Sequence, residues 1–250
     1  MAAIAFTAGN YRTIPAFFQY SSGVMADPGH SIVRVTFRTP PPLAEGFARA
    51  AEIIKAEGRP LTAFCACELR SPGQFTDAGF IAFNELYCET LAAWGIYDKA
   101  TKANPVARSN VCPEIAGPAA PCMYAFCFTV ARPSTKPTFV ISGSGESKPG
   151  TGPYSERIVR YGETSADAML EKARHVLATL EGRMQEFGAG WADVSGTQVY
   201  TVHDPHAFLP GEIVARGAAR LGLTWHYARP PVQGLEFEMD CRNVEHERVA

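Results

Sequence analysis

The feature that most limits how this chain can fold is a series of predicted elements that occurs twice. In each half, apolar residues at helical spacing predict a helix that ends at a glycine, Gly58 or Gly188. A strand, a second helix (over residues 209–221 in the second half) and two further strands follow in both halves. Ser165 stands where the first helix of the second half needs its N-cap. We therefore predict an α+β fold of two tandem domains, each a mixed sheet with two helices on one face.

A proline-containing segment separates the two halves. Residues 131–137 include Pro133 and Pro137, which exclude both a helix and a central strand there. The predicted domains are accordingly residues 1–132 and residues 133–250. Because two helices cover only one face of a sheet and the strands are apolar on both faces, the free faces should pack against each other. This pattern favours sheet-to-sheet packing and a homo-oligomer over a free monomer.

Charge and cysteine content limit the class of function. The 250 residues carry a formal net charge of −2 and no basic stripe, so nucleic-acid binding has no electrostatic support. No apolar run approaches the roughly 20 residues that cross a bilayer, and the first residues do not resemble a signal peptide. The seven cysteines are an odd number without C-x-x-C spacing. We therefore expect reduced thiols and a cytoplasmic protein that binds neither membrane nor nucleic acid.

Two stretches could bind an anion. Arg108 opens the otherwise apolar segment 107–112, and arginine can bind a planar carboxylate through two parallel hydrogen bonds. The alternative is a surface arginine that pairs with an Asp or Glu. Residues 142–152 form a glycine-rich segment directly after a strand, and its backbone N–H groups could line an anion site. The alternative there is a flexible surface loop, since the spacing is not that of a P-loop.

Carboxylates, histidines and one thiol are further candidates. Glu236 and Glu238 are two positions apart on a predicted strand, which puts both on one side, where they could move protons or form cross-strand ion pairs. His203 and His206 stand in a proline-containing turn without a third ligand, so we predict no metal site. Cys112 has no histidine nearby to serve as a base, which favours a structural thiol over a nucleophile.

Each half resembles the RidA/YjgF family of enamine/imine deaminases. Residues 107–111 resemble the family's Ala-Arg-Ser segment, and residues 138–143 its strand that ends in Ser-Gly. Residues 161–202 resemble its long helix, glycine and following strand. The tandem arrangement is similar to that of 2-aminomuconate deaminases, including those that act on 2-amino-5-chloromuconate. The resemblance covers nearly the whole chain and implies RidA-like, chorismate-mutase-like domains in a homotrimer.

The resemblance implies a hydrolysis that needs no metal and no organic cofactor. Arg108 would bind the carboxylate of an enamine or imine acid, water would add to the imine carbon, and ammonia would leave. Glu236 or Glu238 would take up and return the protons. The residues expected to bind the other polar atoms of the substrate are Ser109, Asn110, Ser142 and Gly143.

Each half lacks part of the family's site. Residues 222–224 read Gly-Leu-Thr where the second copy should carry Arg-Ser, and residues 122–125 replace the glutamate-bearing strand in the first copy. Since the family's sites lie between neighbouring domains, we expect one composite site that joins Arg108 to the second domain. A muconate has two carboxylates and requires a second cation, for which the candidates are Arg70, Lys148 and Arg229.

Two other functions stay open at this point. A non-catalytic or regulatory protein that only binds a small carboxylate is compatible with the missing arginine of the second copy. A hydrolase that uses His203 and His206 with a metal, or the Cys112 thiol, is the second alternative. An endoribonuclease is disfavoured by the acidic balance of charge.

Overall fold

The structure is a computed structural model that describes residues 2–250. Its strands are β1 Ile4–Phe6, β2 Tyr11–Ile14, β3 Gly23–Ala26, β4 Ser31–Thr36, β5 Phe64–Arg70, β6 Ala107–Pro113, β7 Cys122–Val130, β8 Phe139–Gly145, β9 Gly196–Tyr200, β10 Thr224–His226, β11 Ala228–Arg229, β12 Glu238–Asn243 and β13 His246–Val249. Its α-helices are α1 Leu43–Ala56, α2 Asp77–Ala93, α3 Tyr154–Arg157 and α4 Ala166–Gln185. A π-helix spans Leu209–Val214.

The same sheet topology occurs twice. Sheet I has the strand order β11-β6-β5-β7-β4-β13, and sheet II has the order β1-β2-β3-β8-β12-β9-β10. The orders β6-β5-β7-β4 and β10-β9-β12-β8 correspond strand by strand, and in both the first pair is parallel and the next two are antiparallel. Helices α1 and α2 cover sheet I, and α4 with the π-helix covers sheet II. The predicted α+β fold of two tandem repeats, each a mixed sheet with helices on one face, is confirmed.

Strands near the chain ends are exchanged between the repeats. β1, β2 and β3 belong to sheet II, where Val24 of β3 pairs with Val140 of β8. Conversely, β11 and β13 come from the second half and join sheet I, where His246 pairs with Val33 of β4. Strand pairing therefore crosses residue 132 in both directions. The domain division at that residue stays a prediction.

The ends of the long helices have the predicted capping residues. Ser165 Oγ accepts a hydrogen bond from the backbone N–H of Ala168 at 3.2 Å, which caps α4. Gly58 follows α1 and Gly188 follows α4, with φ values of 67° and 68°. Glycine adopts this left-handed conformation without a side-chain clash, so both helices end where the sequence predicts.

The helix predicted over residues 209–221 is shorter than expected, because only Leu209–Val214 is helical. Pro210 lies in the first turn, where its missing N–H removes no hydrogen bond. Gly217 has a φ of 87°, which is incompatible with a continuing helix. Ile213 is fully buried, so the short segment still covers part of sheet II.

The sheet faces that carry no helix pack against each other within the chain. Their apolar part joins Val24 of sheet II to Cys65 and Ala107 of sheet I. Another part is charged, and there Arg34 pairs with Glu68 at 2.7 Å. The predicted sheet-to-sheet packing is confirmed inside one chain. It does not by itself require a second chain, and the homo-oligomer stays a prediction.

All seven cysteines are buried and free, as the apolar surroundings of most of them predict. Across residues 2–250, none of the helices combines the length and the apolar character that a membrane span requires.

Candidate active site

Arg108 is a buried cation without a counter-ion. Its side chain leaves β6 on the face that α2 covers, and the residue is only 3% exposed. The guanidinium carbon lies 4.7 Å from the ring centroid of Tyr87 and 5.3 Å from that of Tyr20. In the described part of the chain, Nη1 has no hydrogen-bond partner and no carboxylate pairs with the guanidinium. The alternative of a surface arginine in an ion pair is therefore wrong.

Helix α2 supplies most of the aromatic rings around Arg108. Its N-cap is Thr76, whose Oγ1 accepts a hydrogen bond from a backbone N–H in the first turn at 3.1 Å. Phe80 and Phe83 lie on the face toward β6, and each ring centroid is 5.8 Å from the guanidinium carbon. Aromatic faces stabilise a cation without neutralising it, so the positive charge remains available to an anionic ligand.

Two more polar side chains, one on β6 and one on α2, keep an unpaired buried atom. Asn110 lies two positions after Arg108 and therefore on the same side of β6. Its Oδ1 accepts from Ser71 at 2.9 Å, but its Nδ2 has no acceptor within residues 2–250. Oδ1 of Asn84, on α2, is likewise unpaired there. Buried polar atoms are normally satisfied, so these two atoms are suited to a ligand or a water molecule.

The second repeat contributes the segment Ser142-Gly143 of β8. Ser142 Oγ accepts a hydrogen bond from the backbone N–H of Arg108 at 3.0 Å, which joins β8 to β6 of the other repeat. A Cβ on Gly143 would stand 2.1 Å from Glu238 Oε1 and 3.1 Å from Ser109 Oγ, so the glycine leaves room for the carboxyl. The structure thus brings together residues of both halves that the sequence analysis predicts for one composite site.

Glu238 is a buried carboxyl that favours its neutral form. The residue begins β12, is 4% exposed, and receives no side-chain hydrogen bond from the described residues. Burial raises its pKa well above the usual 4.5, and the negative charges of Asp240 and Glu146 raise the pKa further, although Arg108 opposes the rise. A protonated carboxyl beside a bound imine can donate its proton and take it back.

Glu236, the other predicted carboxylate, already has partners. It precedes β12, and its Oε2 lies 2.7 Å from His203 Nε2 and accepts from Arg229 Nη1 at 3.0 Å. Glu236 therefore forms an ion pair, which the sequence analysis gives as the alternative to proton transfer. Of the two carboxyls, Glu238 is the one that adjoins Gly143, and its side chain has no hydrogen-bond or ion-pair partner among residues 2–250.

A buried ion pair holds the backbone that leads into β12. Glu146 and Lys172 are both fully buried, and their side chains meet at 3.1 Å. Glu146 also accepts hydrogen bonds from the backbone N–H groups of Glu236 at 2.7 Å and Phe237 at 3.1 Å. This network fixes the approach to Glu238. Sequence reasoning missed it, because a glutamate in a glycine-rich segment and a lysine in a helix are typical of surface positions.

The three cations predicted for a second carboxylate lie in other surroundings. The guanidinium carbon of Arg70 is 4.1 Å above the ring of Tyr124. Arg229 pairs with Glu114 at 2.9 Å, and Lys148 is exposed. No side-chain hydrogen bond or ion pair in residues 2–250 joins any of the three to the residues around Arg108.

The surroundings of His203, His206 and Cys112 differ from those of a metal site or a reactive thiol. Burial raises the pKa of the Cys112 thiol to about 12, which disfavours the reactive thiolate. His203 binds Glu236, and His206 binds Asp204. Among the residues that the structure describes, no three His, Cys, Asp or Glu side chains converge as a metal site would require.

We expect thiol-specific reagents to leave the activity of the native protein unchanged. All seven cysteines are buried, so a reagent reaches them only when the chain opens locally. A spectrophotometric thiol titration should show slow reaction in buffer and fast reaction of all thiols in denaturant. Rapid loss of activity that follows modification of Cys112 would restore the thiol nucleophile as a candidate.

Comparisons with known proteins find relatives along nearly the whole chain. A family model described as "2-aminomuconate deaminase CnbZ" matches residues 3–248. The 2-amino-5-chloromuconate deaminase of Comamonas testosteroni is 47% identical over 249 residues, which are 99% of this chain and 98% of that protein. A chorismatase structure shares the fold, with 14% identity and a TM-score of 0.51 over 93% of this chain and 80% of that one. The structure of the YjgF gene product from E. coli is 19% identical and covers 45% of this chain and 84% of its own, with a TM-score of 0.32.

Proposed function

The chain belongs to the 2-aminomuconate deaminase family CnbZ, and on this premise we propose that it releases ammonia from an enamine or imine dicarboxylate such as 2-aminomuconate or its 5-chloro derivative. The reaction is a hydrolysis of a C–N bond in the degradation of aromatic compounds. One observation carries the proposal. Within residues 2–250 the buried guanidinium of Arg108 has no counter-ion, and its charge acts on the buried carboxyl of Glu238, whose pKa burial raises well above its usual value. An acidic substrate supplies the missing anion, and Glu238 supplies the proton.

Substrate binding uses the groups that the protein leaves unpaired. Arg108 holds the carboxylate next to the reacting carbon through charge-assisted hydrogen bonds, which lowers the entropic cost of alignment. Nδ2 of Asn110 is a free donor on the same side of β6. The Ser142-Gly143 segment and Ser109 border the carboxyl of Glu238 and complete the site.

The chemistry then needs only water and one carboxyl group. Glu238 donates its proton to the enamine carbon, which gives an iminium and the Glu238 carboxylate. The carboxylate takes a proton from the water that attacks the iminium carbon, and a C–O bond forms. The re-formed acid protonates the amine nitrogen, the hydroxyl proton returns to Glu238, and the C–N bond breaks to release ammonia and a 2-oxo acid. The iminium carbon is already electrophilic, so we propose that neither a metal nor an organic cofactor takes part.

We also propose that the protein works as a cytoplasmic homotrimer of two-domain chains, divided at residues 132 and 133. The resemblance to RidA proteins supports this assembly. Large apolar side chains that remain exposed, among them Leu86 at 69% and Ile115 at 74%, supply surface for contacts between chains.

The decisive experiment is ammonia release from freshly generated 2-aminomuconate. We expect stoichiometric ammonia with many turnovers, unchanged by a chelator. The decay of the substrate in buffer alone is the background, and 2-amino-5-chloromuconate is the second substrate. A protein that binds these acids but releases no ammonia above the background would instead be a non-catalytic carboxylate-binding protein.

A further inference from the structure

We propose that Arg183, on the last turn of α4, binds the second carboxylate of the substrate and makes the site selective for dicarboxylates. This inference rests on the proposed function, since it concerns the same crevice. It assigns the distal end of the substrate to a residue outside the motifs that the sequence analysis singles out.

The position of Arg183 follows from its contacts with β8. Its Nη1 donates to the backbone oxygens of Ser142 at 2.8 Å and Gly143 at 3.4 Å. The Oγ of the same serine accepts from the backbone N–H of Arg108 at 3.0 Å. The Arg183 guanidinium and the Arg108 backbone therefore both contact Ser142, and the carboxyl of Glu238 lies against the adjacent Gly143.

Arg183 retains donors for a ligand. Nη1 makes its only hydrogen bonds, within residues 2–250, to the two carbonyl oxygens, and no carboxylate pairs with the guanidinium there. Nε and Nη2 form one edge of the planar group and can donate two parallel bonds to a carboxylate. Because the contacts of Nη1 hold the guanidinium in place, little further ordering is needed when a ligand binds.

The two arginines act on the same neighbouring groups. Arg108 and Arg183 both act on the phenol of Tyr20 and on the carboxyl of Glu238, where they oppose the rise in pKa that burial causes. The Arg108 guanidinium carbon lies 5.3 Å from the Tyr20 ring, and the Tyr20 hydroxyl has no hydrogen-bond partner among the described residues. Neither guanidinium has a carboxylate partner within residues 2–250, so the two carboxylates of a dianion could supply one partner to each.

Arg157 is the nearest competitor for this role, but its Nε and Nη1 donate to the glycine-rich loop. Nε donates to the backbone oxygen of Gly152 at 2.8 Å, and Nη1 donates to that of Lys148 at 3.1 Å. The guanidinium stacks on Tyr154 at 4.5 Å. These contacts fix the glycine-rich loop and leave Arg183 as the better placed anchor.

The test compares two ligands that differ only at the distal end. Muconate (hexa-2,4-dienedioate) and sorbate (hexa-2,4-dienoate) share the conjugated chain and one carboxylate, and calorimetry gives the Kd of each. We expect the wild-type protein to bind muconate more tightly than sorbate. Arg183→Gln should weaken muconate binding about 30-fold or more and change sorbate binding less than about 3-fold. Arg174→Gln is the matched control, because Arg174 lies on the same helix and pairs with Glu212 at its surface.

Each outcome decides the inference. Equal weakening of both ligands in Arg183→Gln would mean that Arg183 only positions the Ser142-Gly143 backbone, and would overturn the proposal. So would a wild-type protein that does not prefer muconate, a result that is independent of how the variant folds. Ammonia release by the wild-type protein is measured in parallel. Deamination without a preference for muconate would refute the anchor alone, whereas a preference without deamination would refute the proposed reaction and retain the anchor.

Discussion

Replacing Arg108 by methionine is expected to lower kcat/KM for 2-aminomuconate by about 1,000-fold or more, which corresponds to roughly 4 kcal/mol of lost transition-state binding. The substrate loses the cation that aligns its carboxylate, and an apolar side chain cannot replace it. The measurement is steady-state ammonia release over a range of substrate concentrations. A variant that keeps near-normal kcat/KM would remove Arg108 from the mechanism.

The same variant should be at least as stable as the wild type. A buried cation without a partner costs several kcal/mol of desolvation, whereas contacts with aromatic rings return only about 0.5–2 kcal/mol. Methionine keeps much of the volume and needs no counter-ion. Thermal unfolding should therefore show an equal or higher Tm beside the loss of activity. Arg248→Met is the matched control, because Arg248 also lies over a ring, that of Phe128, but pairs with Glu57 at the surface.

Glu238→Gln is expected to lower kcat by about 100- to 10,000-fold, the usual contribution of general acid–base catalysis. Glutamine has the shape of the protonated glutamate but cannot transfer a proton, so binding of muconate should change little. Glu236→Gln is the comparison, because Glu236 pairs with Arg229 and forms a hydrogen bond with His203. An equal loss of kcat in both variants would contradict the assignment of the proton transfer to Glu238.

The free energy of unfolding of the Glu238→Gln variant, relative to that of the wild type, should increase as the pH rises. The folded protein raises the pKa of Glu238 above its usual 4.5, so the folded state retains a proton that the unfolded chain releases. The wild type therefore has its full stability from this group below about pH 4.5 and loses it as the pH rises toward the folded pKa. In the variant, the glutamine at this position does not ionise, so its contribution to stability does not fall as the pH rises. Urea unfolding should show the stability of the variant relative to the wild type increasing from pH 4 to pH 8, and a constant difference would refute the shift.

Much of the fold could be predicted from local patterns. The spacing of apolar residues and the capping by Ser165, Gly58 and Gly188 located α1 and α4, because these signals depend on residues within a few positions of one another. The exchange of β1 to β3 into sheet II could not be predicted in this way. Strand partners are chosen by packing across the molecule, and the sequence of a strand does not identify its neighbour.

The candidate site was predicted in part. Motifs indicated Arg108, Ser142 and Gly143, and left Glu236 and Glu238 as alternatives. Tyr20, Asn84, Lys172 and Arg183 were missed, because an isolated polar or aromatic residue on a helix or in a loop has no spacing that distinguishes it. Their relevance comes from what they contact.

By itself, the sequence determined the repeated order of helices and strands, the helix ends and a first set of candidate site residues, because these properties reside in short stretches of chain. The tertiary structure decided which of those residues meet and which of them are buried. Ser109 and Asp240 are 131 positions apart and hydrogen-bonded across the two sheets. Packing of α2 on sheet I buries Arg108 away from any carboxylate partner in residues 2–250, and burial raises the pKa of Glu238; burial is a property of the packed molecule that no single segment possesses.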